Sequence, residues 1–283
     1  MGNNIGSYQV IEYSAERRFM ANLLNLSWAR HCMYALLEVD VTHARQFIEA
    51  HKVKTGESLS FTGYLSFCLA AAVDEYKAVQ AYRKGGKQLL VPDNVDVGLM
   101  IEQTVGEKRV LTGHVIQCAN HKSYGEVHRE IRAVQHDHTP ASAVAYSWFR
   151  SVMLLPWPFP VLFSALIRAA MRRDPTRLTS MTGTVGVSAV GMFGEGHSGW
   201  GIAPVSHSLD LIVGSVARKP AIVDGRIEPR DILNLTVVFD HDVIDGAPAA
   251  RFTRRLVELI EGGYGLGTDL LPSEMEAEPA IAR

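Results

Sequence analysis

The chain has 283 residues, of which 47% are hydrophobic and 20% charged, and its formal net charge is −2 at pH 7. These values are typical of a globular protein with a sizeable core. They exclude the strong positive charge of most nucleic-acid-binding proteins, so we expect no nucleic-acid partner. The three cysteines are scattered, and the N-terminus lacks a signal-peptide pattern. We therefore expect a cytoplasmic protein with reduced thiols.

Apolar periodicity predicts that helices and strands alternate along most of the chain. Helices are predicted over residues 14–30, 42–52, 60–82 and 122–134, with Ser14, Thr42 and Ser60 as candidate first residues or caps. Strands are predicted over residues 33–41, 95–102, 109–117, 182–190, 209–216, 221–223 and 235–239. Asp224 and Gly225 predict a tight hairpin turn.

Residues 151–167 form an apolar run without charges, and three arginines follow by residue 173. The run is shorter than the about 20 apolar residues that a transmembrane helix needs. Its three prolines predict packed, non-helical chain. We therefore favour a hydrophobic lid or a subunit contact over an interfacial membrane anchor, which stays the alternative for residues 151–173.

Several histidines also need an interpretation. His128, His136 and His138 have no cysteine or carboxylate at a metal-binding spacing, so we predict surface histidines and no metal. The glycines after residue 190 are not followed by the helix and acidic residue of a dinucleotide-binding fingerprint.

The segment Asp240-His241-Asp242-Val243-Ile244-Asp245-Gly246 lies between a predicted buried strand and a helix over residues 249–260. His241 therefore stands where a strand ends, and a rigid imidazole there is suited to general base catalysis near neutral pH. Asp245 can hold a cation or fix the loop, and Gly246 permits backbone that a Cβ would block. From local chemistry alone, a structural strand-end histidine with Asp245 as a helix cap stays an open alternative.

His-x-x-x-Asp-Gly after an apolar strand, followed by Ala-Pro-Ala-Ala-Arg-Phe, resembles an active-site motif. The family is the catalytic core of the dihydrolipoyl acyltransferases of 2-oxo acid dehydrogenase complexes, which are relatives of chloramphenicol acetyltransferase. The strand at 182–190 is similar to a family segment in which Ser188 takes the position of an oxyanion-stabilising hydroxyl. Arg17 and Arg18 resemble a basic pair of which one member pairs with the motif Asp. One position differs, because the family usually has Arg where this chain has Asp242.

The resemblance implies a two-layer α/β sandwich with a mixed sheet, of the chloramphenicol acetyltransferase type. The catalytic core would span residues 1–263, with an apolar insertion at about 146–173 and a flexible acidic tail at 264–283. In the family, the strand that corresponds to residues 109–117 contains a proline and helps to shape the channel for the thiol substrate. This chain lacks that proline, so the residues that bind coenzyme A stay unassigned.

The resemblance also implies an activity, acyl transfer between coenzyme A and a dihydrolipoyl or other acceptor. His241 would be the general base and Ser188 the oxyanion donor, while Asp245 and Arg17 would hold the loop. A homotrimer with sites between subunits is expected, and trimers of this family can build a larger cage. Because the chain carries no lipoyl domain, a lipoyl group would come from a separate lipoyl-bearing protein.

Three other functions stay open. An acetyltransferase for a small hydroxyl compound would use the same His and Ser, but such enzymes usually carry His where this chain has Asp240. Amide-forming condensation domains share the motif and are much longer. A non-catalytic scaffold or assembly subunit could also keep the fold.

Overall fold

The computed structural model describes residues 9, 11–14, 17–18, 21, 30–105, 108–136, 151, 154–156, 158–189 and 198–267. Its main element is a six-stranded sheet in the order β1-β8-β7-β6-β4-β5. These strands are β1 (Cys32–Asp40), β4 (Val97–Val105), β5 (Lys108–Ile116), β6 (Val185–Ala189), β7 (Leu209–Val223) and β8 (Arg226–Asp240). A separate hairpin pairs β2 (Tyr82–Lys84) with β3 (Gln88–Leu90).

Besides two short 3-10 helices, Lys77–Gln80 and Ala119–His121, six α-helices complete the described part of the fold. They are α1 (Thr42–Thr55), α2 (Phe61–Glu75), α3 (Tyr124–His136), α4 (Phe159–Arg173), α5 (Thr176–Thr182) and α6 (Gly246–Glu261). Helix α2 packs against both α3 and α6. The buried Tyr64 hydroxyl ties α2 to α6 by donating to the carbonyl of Ile260 at 2.9 Å. Together with α1, which packs against α6, these helices form a layer over the sheet.

The sheet is mixed, as predicted. β6 pairs in parallel with β4 and β7, whereas β8 pairs antiparallel with β1 and β7. Residues of β8 alternate between the faces of the sheet. Leu235 and Val237 belong to the main core, and Val238 packs in a smaller cluster with Ile212 and Val205. The sheet is thus buried on both faces around β8, which explains why β8 is apolar without a clear alternation.

The hairpin at Asp224 and Gly225 is confirmed. Both residues have positive φ angles, 50° and 78°, which a two-residue turn of this kind requires. The strand before the turn is longer than predicted, because β7 runs without interruption through a register shift between Val213 and Val216. A bulge of this kind bends the strand and keeps its pairing with β8.

The helix boundaries differ from the predictions at two places. The predicted start of α2 near Ser60 is confirmed, and the Ser60 hydroxyl caps the helix by accepting the Gly63 N–H at 3.0 Å, but α2 ends at Glu75 rather than at residue 82. Thr42 does not cap α1, since Val41 is the N-cap residue. The Thr42 hydroxyl instead accepts the N–H of Asp231 at 2.8 Å.

The prediction of non-helical chain in the apolar run is wrong for α4. Pro158 is the N-cap residue and Pro160 lies in the first turn of the helix. First-turn N–H groups have no acceptor within a helix, so proline there breaks no hydrogen bond. No helix among the described residues is long and apolar enough to cross a membrane.

The surface position predicted for His128 is also wrong. His128 is buried, its Nδ1 accepts the Ser60 N–H at 3.1 Å, and its Nε2 lies 2.8 Å from Glu57 Oε1. This side-chain hydrogen bond lowers the pKa of Glu57. His136 is exposed, and His138 lies outside the described residues.

The two ends of the chain are described only in part. The predicted N-terminal helix falls mostly outside the described residues, but the Ser14 hydroxyl accepts the Arg17 N–H at 3.3 Å, as a cap would. At the other end, the Tyr264 ring stacks on Phe67 with centroids 5.3 Å apart. Residues 268–283 of the predicted tail lie outside the description.

Candidate active site

His241 is the first residue after β8, and its main chain is fixed. Its N–H donates to the carbonyl of His31 at 2.7 Å, which anchors the turn to the residue before β1. The side chain is 50% exposed, and its Nδ1 lies 4.0 Å from Asp245 Oδ1. That distance is too long for a hydrogen bond. No side chain in the described part of the chain hydrogen-bonds to the His241 ring.

The turn that carries His241 is built by Asp240. This buried carboxylate accepts the N–H of Asp242 at 3.0 Å, and its main-chain carbonyl accepts the N–H of Val243 at 3.0 Å. The Arg30 guanidinium lies 3.5 Å from the same carboxylate. Backbone and side-chain bonds from one residue therefore hold the loop on both sides of His241.

Asp242, the residue that differs from the family pattern, has two basic partners. Its carboxylate lies 2.9 Å from His31 Nδ1 and 2.5 Å from Arg83 Nη1 of β2. The hydrogen bond from His31, together with the charges of His31 and Arg83, lowers the pKa of Asp242. The reversed charge beside His241 is thus neutralised by a different element. No local sequence signal marks Arg83, because it lies 159 residues away in the chain.

Ser188 lies in the short strand β6. Its neighbours Val185 and Val187 face the main core, so its own side chain points to the opposite face of the sheet. It pairs with Ile212 of β7, which pairs with Thr236 of β8.

The same register separates Ser188 from His241 within one chain. Two strand spacings and five residues along β8 place their Cα atoms about 19 Å apart. One chain therefore does not bring the predicted base and the predicted oxyanion donor together.

Asp245 and Arg17 are not joined in one chain either. Asp245 is the N-cap residue of α6 but makes no side-chain capping bond, and its side chain is 88% exposed. Arg17 is exposed, and no ion pair connects it to Asp245 within the described residues. Their roles as residues that hold the loop stay predictions.

A buried histidine–aspartate hydrogen bond that the sequence analysis missed supports the strand of Ser188. His207 Nδ1 lies 2.8 Å from Asp210 Oδ1, and its Nε2 lies 3.0 Å from the carbonyl of Thr182. Gly186 of β6 packs directly on this pair, since a Cβ there would lie 2.0 Å from Asp210 Oδ1. The pair fixes the loop before β7 against β6. Its only sequence signal is a histidine three residues before an aspartate at a strand start.

Gly246, the last residue of the motif, lines an open groove of about 700 Å³. It runs between β1 and α6, and its lining is largely apolar, with Leu37 and Val257 among the lining residues. β1 is an edge strand of the sheet, and the Thr253 hydroxyl in the groove is buried without a hydrogen-bond partner in the described part of the chain. Exposed strand edges of this kind are normally covered in a folded assembly.

No cluster of three or more His, Cys, Asp or Glu side chains within the described residues is arranged to hold a metal ion.

The fold and the motif together define the class of protein. A mixed α/β sandwich with His-x-x-x-Asp-Gly at the end of a central strand is the architecture expected of an acyltransferase core. Residues 6–141 and 164–266 match the family described as 2-oxoacid dehydrogenases acyltransferase (catalytic domain). The chain belongs to this family.

Known proteins are similar to the chain along most of its length. It is 23% identical over 234 residues to the lipoamide acyltransferase component of the branched-chain alpha-keto acid dehydrogenase complex of Bacillus subtilis. That match covers 81% of this chain and 46% of the relative. The chain spans less than half the length of each of the first curated relatives it matches.

Solved structures confirm the fold. The dihydrolipoamide acetyltransferase of Azotobacter vinelandii superposes with a TM-score of 0.64 at 21% identity. That structure was determined in a study of a serine, a histidine and an asparagine in the enzyme's catalytic mechanism. It covers 92% of this chain, and 93% of that chain is matched. The cubic core of a pyruvate dehydrogenase multienzyme complex gives the same TM-score at 20% identity, with the same coverage of both chains.

Proposed function

We propose that this chain is a coenzyme A-dependent acyltransferase that moves an acyl group between coenzyme A and a dihydrolipoyl group. The observation that carries the proposal is His241, half exposed on a rigid turn at the end of a central strand. Its ring has no side-chain hydrogen bond within the described residues, so it is available to take a proton. Membership in the acyltransferase family supports the same chemistry.

In the proposed reaction, His241 takes the proton from the attacking thiol. The thiolate then attacks the carbonyl carbon of the thioester, and the hydroxyl of Ser188 donates a hydrogen bond to the resulting oxyanion. Collapse of this intermediate breaks the original carbon–sulfur bond, and the departing thiolate regains a proton from His241. A general base contributes about 10² to 10⁴ in rate and one oxyanion donor about 10² to 10³.

We propose that the active site forms between two subunits of a homotrimer. The separation of about 19 Å between Ser188 and His241 in one chain is too long for a shared reaction centre, so each site needs His241 from one copy and Ser188 from another. The apolar groove beside the motif, which runs along the edge strand β1, is suited to contact with a second copy. Similarity to a cubic multienzyme core supports further assembly of trimers into a cage.

We propose that the acyl acceptor is a lipoyl group and that the reaction takes place in the cytoplasm. Asp242 gives the surface beside His241 a different charge distribution from that of relatives with arginine at this position. Because Arg83 and His31 neutralise Asp242, the altered residue leaves the main-chain position of His241 intact. We therefore expect a changed preference for the acceptor or the acyl group, with the same proton transfer.

The test is acyl transfer from a panel of acyl-coenzyme A thioesters to dihydrolipoamide, followed by mass spectrometry. We expect transfer by the native chain and loss of at least about 10²-fold in His241→Ala. His136→Ala is the matched control, because His136 is an exposed histidine at the end of α3. Full activity of His241→Ala would overturn the mechanism. Absence of transfer from a folded trimer that binds coenzyme A would assign a different acceptor, and absence of both would favour a scaffold.

A further inference from the structure

Helix α4 exposes apolar side chains that an ordinary amphipathic helix would bury. Phe159, Leu162 and Leu166 follow one another at helical spacing and are between 56% and 68% exposed. Val161 and Leu155 nearby are also exposed. A continuous apolar surface of this kind marks an interaction site.

The surroundings of this surface are basic. The sequence from Ser151 to Arg173 contains three arginines and no acidic residue, in a chain whose net charge is −2. Helix α4 packs against β2, and the β2–β3 hairpin exposes Lys84, Lys87 and Leu89. Neither lysine forms an ion pair in the described part of the chain. The hairpin therefore presents exposed lysines and an exposed leucine beside α4, and the exposed Arg173 ends that helix.

This surface lies partly outside what the family shares. The family match skips residues 142–163, which include Phe159 and Leu162. Assembly contacts common to the family therefore do not need these residues. A contact between two such surfaces would also bring their cations close together, which is unfavourable. Anionic headgroups would instead neutralise the cations while the apolar side chains enter the acyl region.

We propose that α4 and the β2–β3 hairpin form a docking surface for an anionic phospholipid membrane. The helix lies in the interface plane with Phe159, Leu162 and Leu166 in the acyl boundary, while Lys84 and Lys87 contact the headgroups. Binding then depends on both contributions. Each cation contributes roughly fivefold to membrane partitioning, and each inserted leucine roughly tenfold or more.

The first experiment is flotation of the full chain with vesicles of phosphatidylcholine alone or mixed with phosphatidylserine. We expect binding to the mixed vesicles that weakens as salt rises. Leu162→Ser with Leu166→Ser should weaken it by at least roughly a hundredfold. The matched control is Ile222→Ser with Ile227→Ser, because this cross-strand pair on the β7–β8 hairpin is 79% and 77% exposed.

A second pair of variants tests the charges without touching α4. Lys84→Gln with Lys87→Gln should weaken binding by roughly twenty-fivefold, whereas Lys52→Gln with Lys54→Gln on α1 should not. The mass of the assembly is measured for every variant in solution. No binding of the native chain to anionic vesicles would overturn the proposal. If, in addition, the leucine variant lost its assembly, α4 would be assigned as a subunit contact.

Discussion

Two inactive variants, His241→Ala and Ser188→Ala, should restore activity to one another when they assemble together. Within one chain the two residues are about 19 Å apart, far beyond the roughly 3 Å over which a base and an oxyanion donor serve one reacting group. A site built between copies can take intact His241 from the Ser188→Ala chain and intact Ser188 from the His241→Ala chain. A site within one chain has no such combination.

The size of the recovery follows from random assembly. If the two variants mix in equal amounts, about a quarter of the sites in a closed ring receive both intact residues. The parent variants lose at least about 10² in rate, so the mixture should exceed either parent by at least about twenty-five-fold.

The assay is acyl transfer after the variants are unfolded and refolded together. Each variant refolded alone is the control, and native mass spectrometry of a tagged chain verifies that mixed assemblies form. If mixed assemblies form and stay as inactive as the parents, the assignment of the site to two subunits is wrong.

Three further predictions concern stability and the turn at the motif. Arg83→Ala should lower the free energy of unfolding by only about 1 kcal/mol or less, because its pair with Asp242 is partly exposed, and exchanging the two residues should restore the loss in denaturant titrations. Gly186→Ala should lower the free energy of unfolding by about 3 kcal/mol or more, because the added methyl group would displace the buried carboxylate of Asp210. The control is Gly86→Ala, which should melt at nearly the same temperature as the native chain, because a Cβ at Gly86 meets nothing within 4 Å. The hydrogen bond from an imidazole lowers the folded pKa of Asp242 below 3.8, so its contribution to stability is full above about pH 4 and is lost as the pH falls through the folded pKa. The stability difference between the native chain and Asp242→Asn should therefore shrink as the buffer is acidified below about pH 4, and a difference that grows there would contradict this sign.

Local sequence patterns predicted the features that depend on neighbouring residues. The apolar run before His241 predicted a buried strand, and Asp224 with Gly225 predicted the hairpin, because a turn with two positive φ angles selects such residues. The Ser60 cap was predictable for the same reason, since its partner lies three residues away. The fold class followed from the resemblance that the motif carried.

Features that depend on distant residues were not predictable. Arg83 and Asp242 are brought together only by the fold, and no sequence pattern near one residue predicts its contact with the other. The burial of His128 depends on Glu57, which lies 71 residues away. The helix at α4 was missed for a different reason, because prolines were weighed by number and not by their position in the first turn.

The pairing of Asp242 with Arg83 also has an evolutionary consequence. A chain that acquired Asp at this position before it had a base at the hairpin would have placed a carboxylate partnered only by His31 beside His241. The two positions should therefore have changed together, or Arg83 first. Relatives with Asp after the motif histidine are expected to keep Arg or Lys at the position of Arg83. Relatives with Arg after the motif histidine are expected to vary at the position of Arg83.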